Sequence, residues 1–202
     1  MTVNGAPSRG GDVIWGDLDH DGKITTNDRS VIGRAQPKWY GSWSNTITYK
    51  QWTLSFSLYG VFGNNIYNSS AWYNDAMSNS NTTPLPDYIY SNWRYPGQIT
   101  SYYAHVNGAG FNTQQVSSKF IEDGSYLRLQ SMSVGYNLPV KWCKMVFMQS
   151  LRANLFATNL LTWTNYTGFD PAVNQTNVLT PGADPGTYPA HREIGFVINA
   201  TF

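Results

Sequence analysis

The sequence predicts an all-β fold, in which antiparallel up-and-down strands form a wall segment of a transmembrane β-barrel with long extracellular loops. Five stretches alternate apolar and polar residues with period two, which is the pattern of a strand with one apolar face. Short and long connections between these stretches also alternate. In a membrane barrel, short turns face the periplasm and long loops face outside.

Composition agrees with this fold but does not select it alone. Charged residues make up 12% of the 202 residues and aromatics 15%, against a usual charged share of about 25%. Such a chain suits strands with lipid on one side and water on the other. It equally suits a secreted, calcium-stabilised carbohydrate-binding β-sandwich, which is the alternative. A net charge of +1 gives no argument for a nucleic-acid partner, and the single Cys143 cannot form an internal disulfide.

The last stretch, residues 192–202, carries the clearest pattern. Apolar side chains alternate along it, and the chain ends on the aromatic Phe202. An apolar strand at the exposed edge of a soluble sheet invites aggregation, whereas in a membrane barrel it would pair with the first strand and meet lipid. On this strand alone, an inner strand of a soluble sandwich is an equal alternative.

The other strands are predicted at residues 42–50, 52–62, 126–137 and 150–163. In the third stretch, the apolar residues fall on odd positions before its middle and on even positions after it. This shift by one residue predicts a β-bulge near Gln130-Ser131. The residues predicted to face lipid are Leu54, Phe56, Leu58, Leu151, Leu155, Ile194, Phe196 and Ile198. Those predicted to face the lumen are Thr53, Ser55, Ser57, Arg152, Asn154, Asn199 and Thr201. The aromatics expected in an interfacial girdle are Trp43, Trp52, Tyr136 and Trp163.

Two long connections, 63–124 and 164–189, have little periodicity and are expected to be outer loops. A short helix is predicted at Ser70–Met77, and a short amphipathic turn or helix at Val140–Met148. In the sandwich alternative, aromatics of the first long loop would be sugar platforms, namely Trp72, Tyr73, Trp93, Tyr102 and Tyr103.

The N-terminal segment, residues 1–37, is predicted to be a loop with a calcium-loop-like motif, followed by the barrel strands and loops of 38–202. Residues 17–28 match D-x-D-x-D-G-x-I-x-x-x-D. Four carboxylates in twelve residues repel one another without a cation, so a structural Ca²⁺ is expected. Its predicted ligands are Asp17, Asp19, Asp21, Asp28 and the backbone carbonyl of Lys23.

The sequence gives no pattern typical of an enzyme. His20, His105 and His191 are scattered, and their spacing identifies no nucleophile–base arrangement. Glu122 and Asp123 are interpreted as turn carboxylates. The N-terminus has no apolar signal core, and no run of 18 apolar residues occurs. We therefore expect either a soluble chain or the C-terminal part of a longer exported protein.

Several motifs together resemble the SusC/RagA family of TonB-linked outer-membrane transporters, in matching order and over essentially the whole chain. They lie at residues 11–24, 27–29, 32–33, 60–67, 120–129, 134–139, 159–162 and 168–171. The resemblance implies a barrel of about 22 strands with an N-terminal plug that binds TonB. It also implies glycan or peptide import from the surface of a Gram-negative outer membrane, with a SusD-like lipoprotein as lid. The sequence has no recognisable plug, so we expect a C-terminal wall segment that is not active alone.

Overall fold

The computed structural model describes residues 2–3, 6–7, 14–75, 93–99, 116–145, 147–175 and 180–202. The strands, in chain order, are β1 (Thr2–Val3), β2 (Ala6–Pro7), β3 (Lys23–Ile24), β4 (Trp39–Tyr49), β5 (Trp52–Phe62), β6 (Asn65–Asn68), β7 (Ile121–Asp123), β8 (Tyr126–Asn137), β9 (Ser150–Thr164), β10 (Ala183–Asp184) and β11 (Glu193–Thr201). The helices are α1 (Ser69–Asp75) and α2 (Val140–Met145), with single 3₁₀ turns at Thr26–Asp28, Ser118–Phe120 and Pro171–Gln175. Among the described residues, no helix is long and apolar enough to span a membrane.

The five long strands form one antiparallel sheet in the order β11-β9-β8-β5-β4. All five lie where the alternating pattern predicts them, with ends shifted by at most a few residues. The β4–β5 connection is the predicted tight turn at Lys50-Gln51, where Lys50 has φ 53°. Strands β4 and β11 are the two edges of this sheet. The sheet is open in the part of the chain that the structure describes.

The predicted bulge in β8 is confirmed. The β5–β8 register shifts between Ser57 and Leu58, and the β8–β9 register shifts between Leu129 and Ser131. Gln130 is therefore the extra residue, which returns Leu127 and Leu129 to the face that carries Met132 and Val134. The register leaves two β9 residues between the partners of Leu129 and Ser131, and one of them, Asn159, has φ 49°. Its side-chain Nδ2 donates to the His191 carbonyl at 3.1 Å.

The register aligns the predicted faces across all five strands. Residues opposite each other in an antiparallel pair point to the same side. One such row contains Ile47, Leu54, Val134, Leu155 and Phe196. The next row contains Thr46, Ser55, Ser133, Phe156 and Gly195. We call the first side the outer face and the second the inner face.

The described parts of the long loops contain regular structure that the sequence pattern does not predict. Strand β6 pairs antiparallel with β7 and parallel with β10, which makes a small second sheet beside the end of the wall where β5 ends and β8 begins. Its strands are only two to four residues long and carry Asn, Asp and Glu, so they show no period-two pattern. The predicted helix at Ser70–Met77 corresponds to α1 as far as Asp75, and its last two positions lie outside the described residues. The predicted turn or helix in Val140–Met148 contains α2.

Candidate functional site

The outer face is apolar and uncovered. Trp43 is 58% exposed, Phe196 60% and Ile198 60%, and no described element packs over them. Aromatics cluster toward both ends of this face: Trp52 lies 4.6 Å from Tyr136 at the turn end, and Trp39 stacks on Phe62 at 4.2 Å at the loop end. A soluble sheet would cover such a face with a second layer.

Three of the four predicted girdle residues lie at the ends of the sheet, and the prediction is wrong for the fourth, Trp43. Trp52 and Tyr136 lie at the turn end, and Trp163, opposite Leu127, lies near the loop end of the sheet. Trp43 pairs instead with Leu58, well inside the strand. From Trp52 to Phe62 there are ten residue steps, about 33 Å of strand. Tilted by about 40°, the strand spans a height of about 25 Å, which is that of the apolar band of an outer-membrane barrel.

The inner face is polar and built from small hydroxyl residues. The Ser44 hydroxyl donates to Ser57 at 2.9 Å, and the hydroxyls of Thr46 and Ser55 are 3.0 Å apart. Phe156 is a large apolar side chain on this face. It fits because its neighbour is Gly195, where an added Cβ would come within 2.3 Å of the Phe156 ring. The sequence alternation did not reveal this pairing.

Loops at one end of the sheet pack into what we call the loop cluster, residues 63–68, 120–124, 165–173 and 180–187. Its apolar core is Ile66, Tyr166 and Val173. Asn65 N–H donates to the Arg34 carbonyl at 2.6 Å, and Tyr67 N–H to the Gly182 carbonyl at 2.6 Å. The cluster therefore joins segments far apart in the sequence.

Buried polar side chains fasten the cluster to the inner face. Arg128, on β8, forms a 2.5 Å ion pair with Asp170, and its Nε donates to the Thr162 hydroxyl at 3.0 Å. The Asp170 carboxylate also accepts the N–H groups of Ala172 and Ala190, at 2.9 and 3.0 Å. Burial raises the pKa of Asp170, but the hydrogen bonds from these two N–H groups and from Arg128 outweigh it, so the net pKa is lowered.

Two further carboxylates cross-link the loops. Asp184 accepts the Tyr166 hydroxyl at 2.5 Å. Burial, reinforced by this hydrogen bond, raises the pKa of the Tyr166 phenol. Glu122 accepts Asn68 Nδ2 at 2.9 Å and the hydroxyl of Thr167 at 2.8 Å, so it bridges two loops. Its neighbour Asp123 is the predicted turn carboxylate: it accepts the Ser125 N–H at 2.9 Å.

The Asp-rich loop brings three of its four carboxylates together. Oxygens of Asp17, Asp19 and Asp21 all lie within 4.8 Å of one another. Gly22, with φ 79°, donates its N–H to Asp17 Oδ2 at 2.9 Å. Asp17 Oδ1 is buried and has no hydrogen-bond partner. This orphaned oxygen beside two other carboxylates fits a hard cation such as Ca²⁺.

Asp28 lies apart from these three and caps the 3₁₀ turn Thr26–Asp28, of which it is the last residue. Its two oxygens accept the N–H groups of Thr25 and Leu18, at 2.7 and 2.8 Å. The hydrogen bonds from these N–H groups lower the pKa of Asp28. Ile24, between the two halves of the loop, is buried. The carboxylate thus ties the end of the Asp-rich loop back to its beginning.

The remaining sequence candidates lie in the loops. On α1, Trp72 and Tyr73 meet edge to face at 4.7 Å, and Trp93 is half-buried. His20 and His191 are exposed and belong to separate loops. Tyr102, Tyr103 and His105 lie outside the described residues.

Comparison with known proteins explains this architecture. The chain is 33% identical over 197 residues to TonB-dependent receptor P39 of Formosa agariphila, and 28% identical over 207 residues to TonB-dependent receptor P3 of the same organism. These matches cover 96% and 100% of the chain. This chain is related in sequence to TonB-dependent receptors. It spans about a fifth of the length of these curated relatives, 19% and 20%. No family model matches the chain.

Solved structures give the same fold. The RagAB peptide importer in its open-open state matches with a TM-score of 0.71 at 20% identity, over 94% of this chain and 20% of that one. The closed-closed state matches with a TM-score of 0.65 at 20% identity, over 92% of this chain and 20% of that one. The predicted fold, an open antiparallel sheet of barrel-wall strands, is therefore confirmed. The names of these relatives describe receptors and importers rather than enzymes.

Proposed function

We propose that this chain is the C-terminal wall segment of a TonB-dependent importer in the outer membrane of a Gram-negative bacterium. The uncovered outer face carries the proposal. In the row of Ile47, Leu54, Val134, Leu155 and Phe196, its apolar side chains cross all five paired strands. They would meet the hydrocarbon core of the membrane, where every backbone group must be paired within the barrel.

The five strands would act only as part of a larger assembly. Five tilted strands cannot close around a lumen, so β4 and β11 would pair with other strands of the same barrel. Transport by this segment alone is therefore not expected. The plug and TonB contact would come from other parts of the receptor, and a SusD-like surface lipoprotein would cover the loop end. The cargo would be a glycan or a peptide.

The secreted carbohydrate-binding sandwich is the competing function. It needs a second sheet over the outer face, and the described residues provide none. Fractionation separates the two. A complete receptor carrying this chain should stay in the outer-membrane fraction until detergent is added and should migrate as a heat-modifiable barrel. Release into buffer on cell lysis would refute the wall assignment.

Transport is tested by deleting the gene for that receptor. Growth on the cargo as sole carbon or nitrogen source should fail in the deletion strain and return with the wild-type gene. The control gene should carry a plug that cannot contact TonB, and it should assemble normally without restoring growth. Equal growth of the deletion strain on all glycans and peptides would contradict an import function.

We also propose that the Asp-rich loop holds a structural Ca²⁺. Asp17, Asp19 and Asp21 would be carboxylate ligands, the Lys23 carbonyl a further ligand, and Asp28 would close the loop. The orphaned Asp17 oxygen supports the proposal, because an unpaired buried acceptor costs stability until a cation or a donor meets it. The ion would stiffen an outer loop and take no part in transport.

A further inference from the structure

The connection between β8 and β9 is long for the turn end of the wall. It runs over residues 138–149 and contains α2, whereas Lys50-Gln51 alone joins β4 to β5. An antiparallel hairpin needs only about two to five loop residues. Strands that extend the barrel from β4 or β11 would be separated from this connection by at least one described strand. A neighbouring wall strand therefore does not explain its length.

Hydrogen bonds hold the connection against the rim of the sheet. Leu138 N–H donates to the Leu151 carbonyl at 2.9 Å, and Gln149 N–H donates to the Thr201 carbonyl at 2.7 Å. Cys143, on α2, is fully buried, and its thiol donates to the Leu138 carbonyl at 3.7 Å. The connection is thus a fixed part of the turn end.

Four apolar side chains of the connection are nevertheless exposed, and we call them the α2 patch. Val140 and Trp142 are each 58% exposed, Met145 is 76% exposed and Phe147 is 92% exposed. Exposed apolar side chains that lie together mark a surface that contacts a partner or a membrane.

Phe147 has a backbone conformation that usually selects glycine. Helix α2 ends in a Schellman motif, in which Phe147 N–H donates to the Lys144 carbonyl at 3.3 Å and Met148 N–H to the Cys143 carbonyl at 3.0 Å. Phe147 takes the left-handed position of this motif, with φ 60°, where a side chain strains the backbone. Since its ring is almost fully exposed, packing within the described chain does not compensate this strain. We therefore expect the ring to have a partner outside it.

The charges of the connection select an anionic partner. Lys141 and Lys144 lie on α2 among the apolar side chains, and both are exposed. Residues 138–149 contain no carboxylate. Tryptophan and lysine together are typical of a membrane interface, where the indole lies among the headgroups and the lysine ammonium reaches the water.

The α2 patch also continues the outer face of the wall. Leu138, which opens the connection, follows two residues after Tyr136, and Tyr136 contacts Trp52 at the turn end of the outer face. The inner face is built instead from hydroxyl groups such as those of Ser44 and Ser57. The apolar character of the patch thus matches the side of the wall that would meet lipid.

We propose that α2 and Phe147 form an interfacial anchor that binds anionic phospholipid of the periplasmic leaflet. Trp142, Met145 and Phe147 would enter the headgroup region, while Lys141 and Lys144 would pair with lipid phosphate groups. The proposal rests on the proposed wall function, because that function puts the turn end at the periplasmic surface of the membrane.

The test places a nitroxide label at Phe147→Cys in the complete receptor reconstituted in lipid vesicles. The matched control is Lys50→Cys, because Lys50 is also exposed, also has a left-handed backbone (φ 53°) and lies in the other turn at the same end. Leu155→Cys on the outer face is the lipid reference. The receptor without an added cysteine sets the background, to which the buried Cys143 should add nothing. Relaxation of each label by oxygen and by an uncharged, water-soluble nickel complex gives its lipid-to-water access ratio.

We expect oxygen to relax the Phe147 label more strongly and the nickel complex to relax the Lys50 label more strongly. Vesicles of phosphatidylglycerol and phosphatidylcholine in equal parts are then compared with phosphatidylcholine alone. Phosphatidylglycerol should raise the access ratio of the Phe147 label by about five-fold for each lysine. With Lys141→Gln and Lys144→Gln together, the ratio should be the same in both vesicles.

A Phe147 label that the nickel complex reaches as freely as the Lys50 label would overturn the proposal. A Phe147 label that neither reagent reaches would also overturn it, because another protein segment would then cover the α2 patch. A ratio that does not respond to phosphatidylglycerol would refute anionic lipid as the partner. Each of these results leaves the wall function standing if the Leu155 label lies in lipid, whereas a Leu155 label in water would refute the wall function first.

Discussion

An arginine on the outer face should destabilise the barrel far more than one on the adjacent inner-face position. Leu58 is six residue steps from Trp52 and four from Phe62, so it lies within about 3 Å of the middle of the apolar band. Leu58→Arg should therefore lower the free energy of unfolding by about 2–4 kcal/mol. Ser57→Arg, whose side chain points to the lumen, loses one hydrogen bond from Ser44 and should cost about 1 kcal/mol.

The assay is reversible urea unfolding of the complete receptor in lipid vesicles, with heat-modifiability as the readout. Trp52→Arg provides a depth control, because it lies at the edge of the band and should cost about 0–1 kcal/mol. Similar losses for Leu58→Arg and Ser57→Arg would show that the two faces meet the same medium. That outcome would refute the lipid-facing assignment.

Three further predictions concern the loops and the terminus. Ca²⁺ at 100 times Kd should stabilise the folded outer loops by about 2.7 kcal/mol and so raise the temperature of their thermal transition, and Asp17→Asn should abolish this rise. Asp170→Ala leaves Arg128 buried and unpaired and should cost about 3 kcal/mol in urea unfolding. Because folding lowers the pKa of Asp170, its contribution is complete above the unfolded pKa of about 3.9 and is lost as pH falls through the lower folded value. Deleting Phe202 should lower the yield of assembled barrel in outer-membrane fractions while each assembled receptor transports normally.

Matched variants sharpen these tests. The Asp123 carboxylate is exposed and, among the described residues, accepts only the Ser125 N–H within its own turn. Asp123→Asn should therefore retain both the calcium response that Asp17→Asn removes and the stability that Asp170→Ala removes. A calcium response that persists in Asp17→Asn would contradict the ion site. A stability of Asp170→Ala that matches wild type would show that the ion pair does not fasten the loop. Normal yield with lost uptake after deletion of Phe202 would place the terminus in the transport path.

Sequence reasoning located the wall because its signal is local and repeated. In β5, eleven residues alternate between the two faces without interruption. In β8, the alternation shifts at a single residue, Gln130. Lipid on one side and water on the other impose this alternation on every strand. Each strand could therefore be identified, and its faces assigned, from its own residues.

The loop cluster could not be predicted in the same way. Its strands are held by pairs such as Asn68 with Glu122 and Arg128 with Asp170, which are 54 and 42 residues apart. These contacts depend on the order of strands in the sheet, and no local pattern signals them. The Asp-rich loop shows both cases: spacing identified the cluster of Asp17, Asp19 and Asp21, but it did not reveal that both Asp28 oxygens accept backbone N–H groups.

The most direct test of the wall assignment is the environment of the two faces in a membrane. Single cysteines at Leu155 and at Asn154, adjacent on β9, would carry nitroxide labels in the complete receptor reconstituted in lipid. Oxygen, which concentrates in lipid, should relax the Leu155 label more strongly, and a water-soluble nickel complex should relax the Asn154 label more strongly. Phe196 and Val197 on β11 should repeat this contrast. Equal access of the nickel complex to both faces would contradict a barrel wall in the membrane.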